Sequence, residues 1–337
     1  MVNVGVIGCG HWGPNHVRIF SHLARSRAVM AADLDEQRLK AIKQTFLNIR
    51  TTKRYQDILE DPDIDAVCVA APTQCHFSIT QEALRAGKHV LCEKPLAETA
   101  EKCRILRDLA QEQDRVLMVG HIFIFNRGIR QLKTYIDSGE IGRVHYAYAL
   151  RTNLGPFRYD VNALWDLAPH DIAIFNYLFD HRPVNVSGRG QRCLGTAQED
   201  LAFATLQYPE QVMVHVHVSW LDPKKVRQIT IVGDKKMATW DDLDPAGPIK
   251  LYDKHVEKTE TYYETYGEFQ LLSREGSVLI PHIGMNEPLK EQAEYFLDCV
   301  EHRKDPLFAN AQKGLEVVET LEAVQRSMDE EGACVYL

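Results

Sequence analysis

HVLCEKPL, positions 89–96, ends a short apolar run on Lys94, set between Glu93 and Pro95. The run from His89 to Cys92 predicts a buried strand, and a residue before proline is biased toward extended backbone. Lys94 therefore falls at a strand's carboxyl end, where open α/β sheets bind ligands, and its amine is a candidate general base. GCGHWG supplies Gly8, Gly10 and Gly13 at a second candidate site. In that spacing one glycine makes a tight turn, one lets backbone approach a pyrophosphate, and one allows close helix–strand packing. Asp33 follows Gly13 by 33 − 13 = 20 positions, where an acid accepts hydrogen bonds from the adenosine ribose hydroxyls and repels a 2′-phosphate. NAD is thus expected over NADP, with Arg38 the nearby residue able to soften that preference. Asp166 and His170 form a third group. Four apart, they share one face of a helix, where a carboxylate orients an imidazole or holds a substrate.

These residues need a scaffold, and the hydrophobic pattern predicts one. Apolar β-rich runs at 2–8, 28–33, 65–71, 89–93 and 115–120 alternate with helical patterns, as crossover helices on a parallel sheet require. Between the last two runs, Ala100, Cys103, Leu106, Leu109 and Ala110 recur at helical spacing. After Gly120 a helical stretch from about Asn126 to Ser138 leads into β-rich runs at 144–152, 201–208, 212–220 and 227–233. One long helical pattern, about Ala163 to Phe179, interrupts them, and the chain is again helical from about Asn286. The expected fold is an α/β Rossmann dinucleotide-binding domain over 1–120, then an α+β domain with a large, mostly antiparallel sheet over 121–337. The last helix is expected to pack back on the first domain.

Composition narrows the function. The 337 residues are 45% apolar, enough for two cores, and the net charge of −8 is spread without basic blocks, which excludes a nucleic-acid binder. The eight cysteines contain no CxxC pair, which suits a reducing compartment. The opening MVNVGVIG enters a strand directly, and no segment approaches a membrane span, so a soluble cytoplasmic protein with no membrane partner is expected.

GVIGCGHWG at the start, EKP at 93–95, GHIFIFN at 120–126 and WDLAPHD at 165–171 resemble the Gfo/Idh/MocA oxidoreductases over essentially the whole chain. In that family the lysine of EKP and the histidine of a D-x-x-x-H motif lie beside the nicotinamide and the substrate carbon. The resemblance therefore implies catalytic roles for Lys94, Asp166 and His170. It implies cofactor contacts from Gly8, Gly10, His11, Trp12, Gly13, Asp33, Leu34, Arg38, Ala71, Pro72, Thr73, His76, Glu93 and Lys94. Substrate contacts are expected from Lys94, Asn126, Arg151, Asn153, Arg158, Asn162, Asp166 and His170. A free lysine, with a pKa of about 10.4, is a poor base near neutrality. Burial and the positive charge of oxidised nicotinamide both favour its uncharged form, so Lys94 is expected to take the proton of a substrate hydroxyl as hydride leaves the same carbon.

LRTNLGPFRYDVN, positions 150–162, leads into the helix of Asp166 and carries Arg151, Asn153, Arg158, Tyr159 and Asn162, donors suited to phosphate or sugar hydroxyls. His215 and His217 point to one face of a strand. No third ligand stands at useful spacing, so no metal is assigned and a polar or subunit-facing surface is expected. The charged, aromatic run 252–269 is expected to be a solvated or intersubunit loop.

Three functions fit these readings. The resemblance points first to an NAD-dependent 3-dehydrogenase of a nucleotide-linked amino sugar, such as UDP-N-acetylglucosamine or its uronate, giving a 3-keto sugar for a partner aminotransferase. A dehydrogenase of a free sugar or a polyol such as inositol is the second. The third is a dinucleotide-binding regulator without catalysis, against which Lys94 and His170 both argue. The resemblance also implies pairing of the second-domain sheets into a homodimer or homotetramer.

Overall fold

The computed structural model describes residues 1–158, 160–258, 271–284 and 286–337. Two units divide it: Met1–Phe125 with Glu287–Glu322, and Asn126–Asn286 with Ala323–Leu337.

In the first unit, β1 (Val2–Ile7), β2 (Ser26–Ala32), β3 (Arg50–Thr52), β4 (Ala66–Val69), β5 (His89–Cys92) and β6 (Leu117–Val119) make one sheet in the order β3-β2-β1-β4-β5-β6. Every pairing is parallel. The crossovers are α1 (Gly13–His22), α2 (Glu36–Thr45), α3 (Gln56–Glu60), α4 (Thr73–Arg85) and α5 (Ala100–Glu112). The residues of β4 and all but the first of β5 are buried, as a sheet covered on both faces demands. Asp35 caps α2 through the Gln37 amide and Thr99 caps α5 through the Lys102 amide, satisfying first-turn donors that would otherwise be orphaned. Strand β3 was not expected. RTT has no apolar run to announce it, and backbone pairing to β2 alone makes it a strand.

The second unit opens with α6 (Arg127–Asp137) and β7 (Val144–Leu154), followed by α7 (Ala163–Phe179). Seven strands follow: β8 (Asn185–Gln191), β9 (Leu201–Gln207), β10 (Met213–Ser219), β11 (Leu221–Gly233), β12 (Met237–Asp241), β13 (Ile249–Lys258) and β14 (Leu271–Leu279). All join one sheet, antiparallel except where β10 runs parallel to β7. The loop expected over 252–269 is corrected in part: its first residues lie in β13, paired with β14, and 259–269 lie outside the described residues. One sheet face is apolar and buried, with Ala147, Ala149, Ala204, Val214, Val216, Ile229 and Ile231 all under 4% exposed. Helix α7 packs on the sheet, chiefly against β10. The other face carries Tyr146, Phe203 and Met213, each more than 40% exposed.

Helix α8 (Pro288–His302) belongs to the first unit, its Phe296 ring edge-on to Phe20 of α1 at 6.4 Å. Helix α9 (Ala311–Asp329) counts with the first unit up to Glu322 and with the second beyond it. A Cβ on Gly314 would stand 2.7 Å from Val119 Cγ2, so glycine alone lets α9 lie this close to β6. The short β15 (Val335–Tyr336) pairs with β8.

Candidate active site

Strand order in the first sheet reverses between β1 and β4, and the loops leaving their carboxyl ends flank the crevice where such sheets bind nucleotides. Gly8 follows β1 at φ +93°, and a Cβ there would press to 2.6 Å from the Ala70 carbonyl. A Cβ on Gly13 would fall on the Gly8 carbonyl oxygen, so the turn and the start of α1 close only on glycine. Gly10 differs: the nearest atom to its Cβ position is Arg38 Nη1 at 3.8 Å, which leaves open space for a pyrophosphate. Asp33 Oδ2 accepts from the Cys9 amide at 2.7 Å and Oδ1 from the Asp35 amide at 2.8 Å. Two backbone donors thus fix the carboxylate while lone pairs remain for ribose hydroxyls. Arg38 Nη1 stands 3.6 Å from Asp33. His11, Trp12 and Leu34 are exposed around this cradle. Across the crevice, Ala71 and Pro72 lead into α4, whose first residue is the buried Thr73.

Lys94 follows β5, whose ladder is prolonged by the Glu93 amide donating to the Val69 carbonyl at 2.9 Å. The Glu93 carboxylate is bonded to His16 Nε2 at 2.8 Å. Its burial favours the neutral acid, but His16, Lys94 and His76 outweigh this and hold it below the usual carboxylate range. His121, after β6, is 2% exposed with both ring nitrogens unbonded. Burial pushes its imidazole down to about 4 against the opposing pull of Glu93.

In the second unit, Asp166 and His170 lie on α7, as their spacing predicts. Pro169 stands between them and has no N–H for the Trp165 carbonyl, which loosens this turn of the helix. Asp166 Oδ1 accepts from Arg158 Nη1 at 3.0 Å and Oδ2 from Trp220 Nε1 at 3.2 Å.

Most of the polar donors expected to meet substrate have partners within the protein. Arg151 is 3% exposed and makes two 2.8 Å bonds to Asp171. Losing one partner of such a buried pair costs about 3–5 kcal/mol, so it is part of the core. Asn162 caps α7 through the Trp165 amide, and its side-chain amide donates to Glu199 and Gln325. Asn126 caps α6 through the Gly128 and Ile129 amides. Asn153 donates to the Gly155 carbonyl at 2.6 Å. Arg158 is held by Asp160 as well as Asp166, which cancels its charge toward a phosphate. Tyr159 lies outside the described residues. His217 stacks on Phe203 at 4.3 Å between centroids, and among the described residues no group of three or more His, Cys, Asp or Glu side chains could hold a metal ion.

A family model described as an oxidoreductase family with an NAD-binding Rossmann fold matches residues 2–121, and one for the GFO/IDH/MocA C-terminal domain matches 129–239. The chain belongs to the Gfo/Idh/MocA oxidoreductase family. Its first unit is an NAD-binding Rossmann domain, and the glycine cradle and Asp33 fit that cofactor. Within the family, inositol 2-dehydrogenase 2 of Saccharopolyspora erythraea is 31% identical over 224 residues, 64% of this chain and 66% of that relative's length. UDP-N-acetylglucosamine 3-dehydrogenase of Acidithiobacillus ferrooxidans shares the fold at a TM-score of 0.78, with 23% identity and 97% of each chain covered. Levoglucosan dehydrogenase, solved with NADH and levoglucosan, shares it at 0.84, with 20% identity and 99% of each chain covered.

A cavity of about 510 Å³ opens at the other end of the Rossmann sheet, beside His89 and Leu117 where β5 and β6 begin. Its arginines are engaged: Arg115 on the Gly87 and Asp114 carbonyls, Arg107 on Asp108 and Gln312, Arg303 near Asp114. Position in the sheet, rather than cavity size, therefore marks the active end of this Gfo/Idh/MocA chain.

The geometry at Asp33 predicts cofactor preference. NADH should bind on the order of 10- to 100-fold tighter than NADPH, because a 2′-phosphate would face a fixed carboxylate. Asp33→Ser should erase most of that ratio, and calorimetry giving equal affinities for the unaltered chain would refute the assignment.

Two imidazoles, buried His121 and half-buried His89, set an acid limit on the fold. Burial, with Arg115 and Arg303, pushes His89 down to about 4, close to the value for His121, against about 6.5 in an unfolded chain. Between those values the unfolded chain binds protons that the folded one refuses, so stability falls as pH drops from 6.5 through 4. His121→Phe should make that decline shallower by up to about 1.4 kcal/mol per pH unit. Urea midpoints at pH 6.5, 5.5 and 4.5 measure it, and an unchanged slope would exclude His121 as a source.

Proposed function

We propose that this chain oxidises a secondary hydroxyl on the ring of a sugar or cyclitol to a ketone, with Lys94 taking the hydroxyl proton. The observation that carries this reading is Lys94 at the carboxyl end of β5, in the sheet whose β1 and β4 loops cradle the dinucleotide. NAD, when bound, supplies the hydride acceptor. The Lys94 amine accepts the proton as the C–H electron pair leaves, so the carbon loses two electrons and the oxygen ends as a carbonyl. On the resemblance, Asp166 and His170 are assigned to holding and polarising the sugar.

Within that class we favour C3 of a UDP-linked N-acetylhexosamine or its uronate, with the 3-keto product passed to an aminotransferase. The resemblance of GHIFIFN and WDLAPHD supports this, as do two exposed lysines, Lys224 and Lys225, beside the segment leading to α7. The inositol 2-dehydrogenase relative supports the second reading, a free cyclitol or sugar. A panel of UDP-sugars, free sugars and inositols assayed for NADH formation tests both, and no turnover with any of them would sink the proposal. All eight cysteines are free thiols, in keeping with a reducing cytoplasm. No helix among the described residues is long and apolar enough to cross a membrane.

We also assign the open face of the second sheet to pairing with another copy of the chain. Tyr146, Phe203 and Met213 are exposed there on neighbouring strands, with His215 and His217 stacked on Phe203. An apolar face of this kind is seldom left to water. Sedimentation at micromolar concentration should show a dimer or tetramer, and a stable monomer would count against it.

A further inference from the structure

His76 lies on α4 and is 1% exposed. Its Nδ1 is 2.8 Å from the Pro95 carbonyl oxygen and its Nε2 is 2.9 Å from the Ala71 carbonyl oxygen. A carbonyl oxygen only accepts, and a neutral imidazole carries one N–H. In either neutral tautomer, one of these contacts would set lone pair against lone pair in a site closed to water. Turning the ring over would put carbons at 2.8–2.9 Å from the oxygens, well inside the roughly 3.3–3.6 Å of C–H···O contacts. Only the imidazolium donates to both.

The two acceptors are not equivalent surface carbonyls. Ala71 belongs to the loop after β4, packed against Gly8 of the nucleotide cradle, and Pro95 is bonded to Lys94. We propose that His76 is a positioning residue, held as an imidazolium across the neutral range, that ties the nucleotide loop at Ala71 to the loop of Lys94 and so fixes where that amine stands. The kinetic part of this rests on the reading of Lys94 as the base; the protonation state does not.

The charged and titratable neighbours agree with that state. Burial alone would strip the proton, but Cys92 on β5 and the two carbonyls outweigh it and raise the imidazole to about 9. Glu93, after β5, is drawn toward its ionised form in part by the charge of His76. Its carboxylate is held by His16 of α1, and it also neighbours Lys94 and His121. A cation at His76 is thus balanced by a mostly buried carboxylate. Fixing a loop in this way matters because a catalytic group misplaced by about 1 Å can lose on the order of 10² in rate.

The experiment is a long-range ¹H–¹⁵N spectrum of the full chain labelled at histidine, recorded from pH 6.5 to 8.5. The expected result is an imidazolium signal, both nitrogens protonated, that persists at pH 8.5, survives in His16→Gln and is absent from His76→Gln. A wild-type spectrum with no imidazolium at pH 8.5 would overturn the proposal, whether or not either variant folds. So would the same signal remaining in His76→Gln. In turnover, His76→Gln should lower kcat tenfold or more, a larger effect than on the Kd for NADH, and an unchanged kcat would remove the positioning role. If no sugar supports turnover, the reading of Lys94 fails and the spectrum still decides the state of His76.

Discussion

Lys94→Ala lowers turnover by roughly 10² to 10⁴ and leaves NADH binding nearly intact: that is the expected result of removing the base without touching the cradle. The groups assigned to the dinucleotide are Gly8, Gly10 and Gly13 in the turn after β1 and Asp33 at the end of β2, whose carboxylate is fixed by the Cys9 and Asp35 amides. None of these rests on the Lys94 amine. Glu93, bonded to His16, and the loop at Pro95, bonded to His76, also stay in place when only the side chain beyond Lys94 Cβ is lost. Steady-state kinetics should therefore show the loss in kcat, with calorimetry reporting an unchanged Kd for NADH. Lys94→Arg should be nearly as inactive, because a guanidinium does not give up its proton near neutral pH. A Lys94→Ala variant turning over at close to the normal rate would move the base to His170.

The Rossmann unit was legible because its signals are local. A turn that closes only on glycine, an acid 20 positions later and apolar runs of strand length each occupy a few adjacent residues. The second unit was less so. Strand β8, NVSGRGQ, reads as a polar loop because glycines stand where strands usually carry apolar side chains. The structure gives the reason: a Cβ on Gly188 would come within 2.9 Å of Val324, and one on Gly190 would meet Met328, so α9 occupies the space. Arg151 looked like a ligand for phosphate because its acid, Asp171, comes from a different element and only packing brings the two together. Asn162 is another matter. An asparagine directly before an apolar helical run is a cap signal, and it was there to be read. The clamp on His76 had no such signal, since both acceptors are backbone carbonyls and carry no trace in the residue types.

If the substrate is a UDP-linked N-acetylhexosamine or its uronate, kcat/KM for it should exceed that for the free N-acetylhexosamine and for myo-inositol by on the order of 10- to 100-fold. The cations first suggested for the diphosphate, Arg151 and Arg158, are occupied by Asp171, Asp160 and Asp166. Two others in the same unit are not. The pairing of β11 with β7 jumps from Leu221↔Leu154 to Val226↔Thr152, so Asp222, Pro223, Lys224 and Lys225 bulge from the ladder. Thr152 Oγ1 donates to the Lys224 carbonyl at 3.5 Å, which ties the bulge to the strand leading toward α7. Lys224 and Lys225 are exposed and make no ion pair among the described residues. A diphosphate offers them charge-assisted bonds remote from the reacting carbon. Binding energy of that kind orients the pyranose for attack at one hydroxyl, which a free sugar lacking the diphosphate has to do without. Replacing both lysines by alanine should raise KM for the UDP-sugar about tenfold and leave the rates with free sugars as they were. Equal kcat/KM for the UDP-linked sugar and for either unlinked compound would overturn the nucleotide-sugar reading and favour the cyclitol. A UDP-sugar preference that survives the double replacement would keep the substrate and move its diphosphate to other residues.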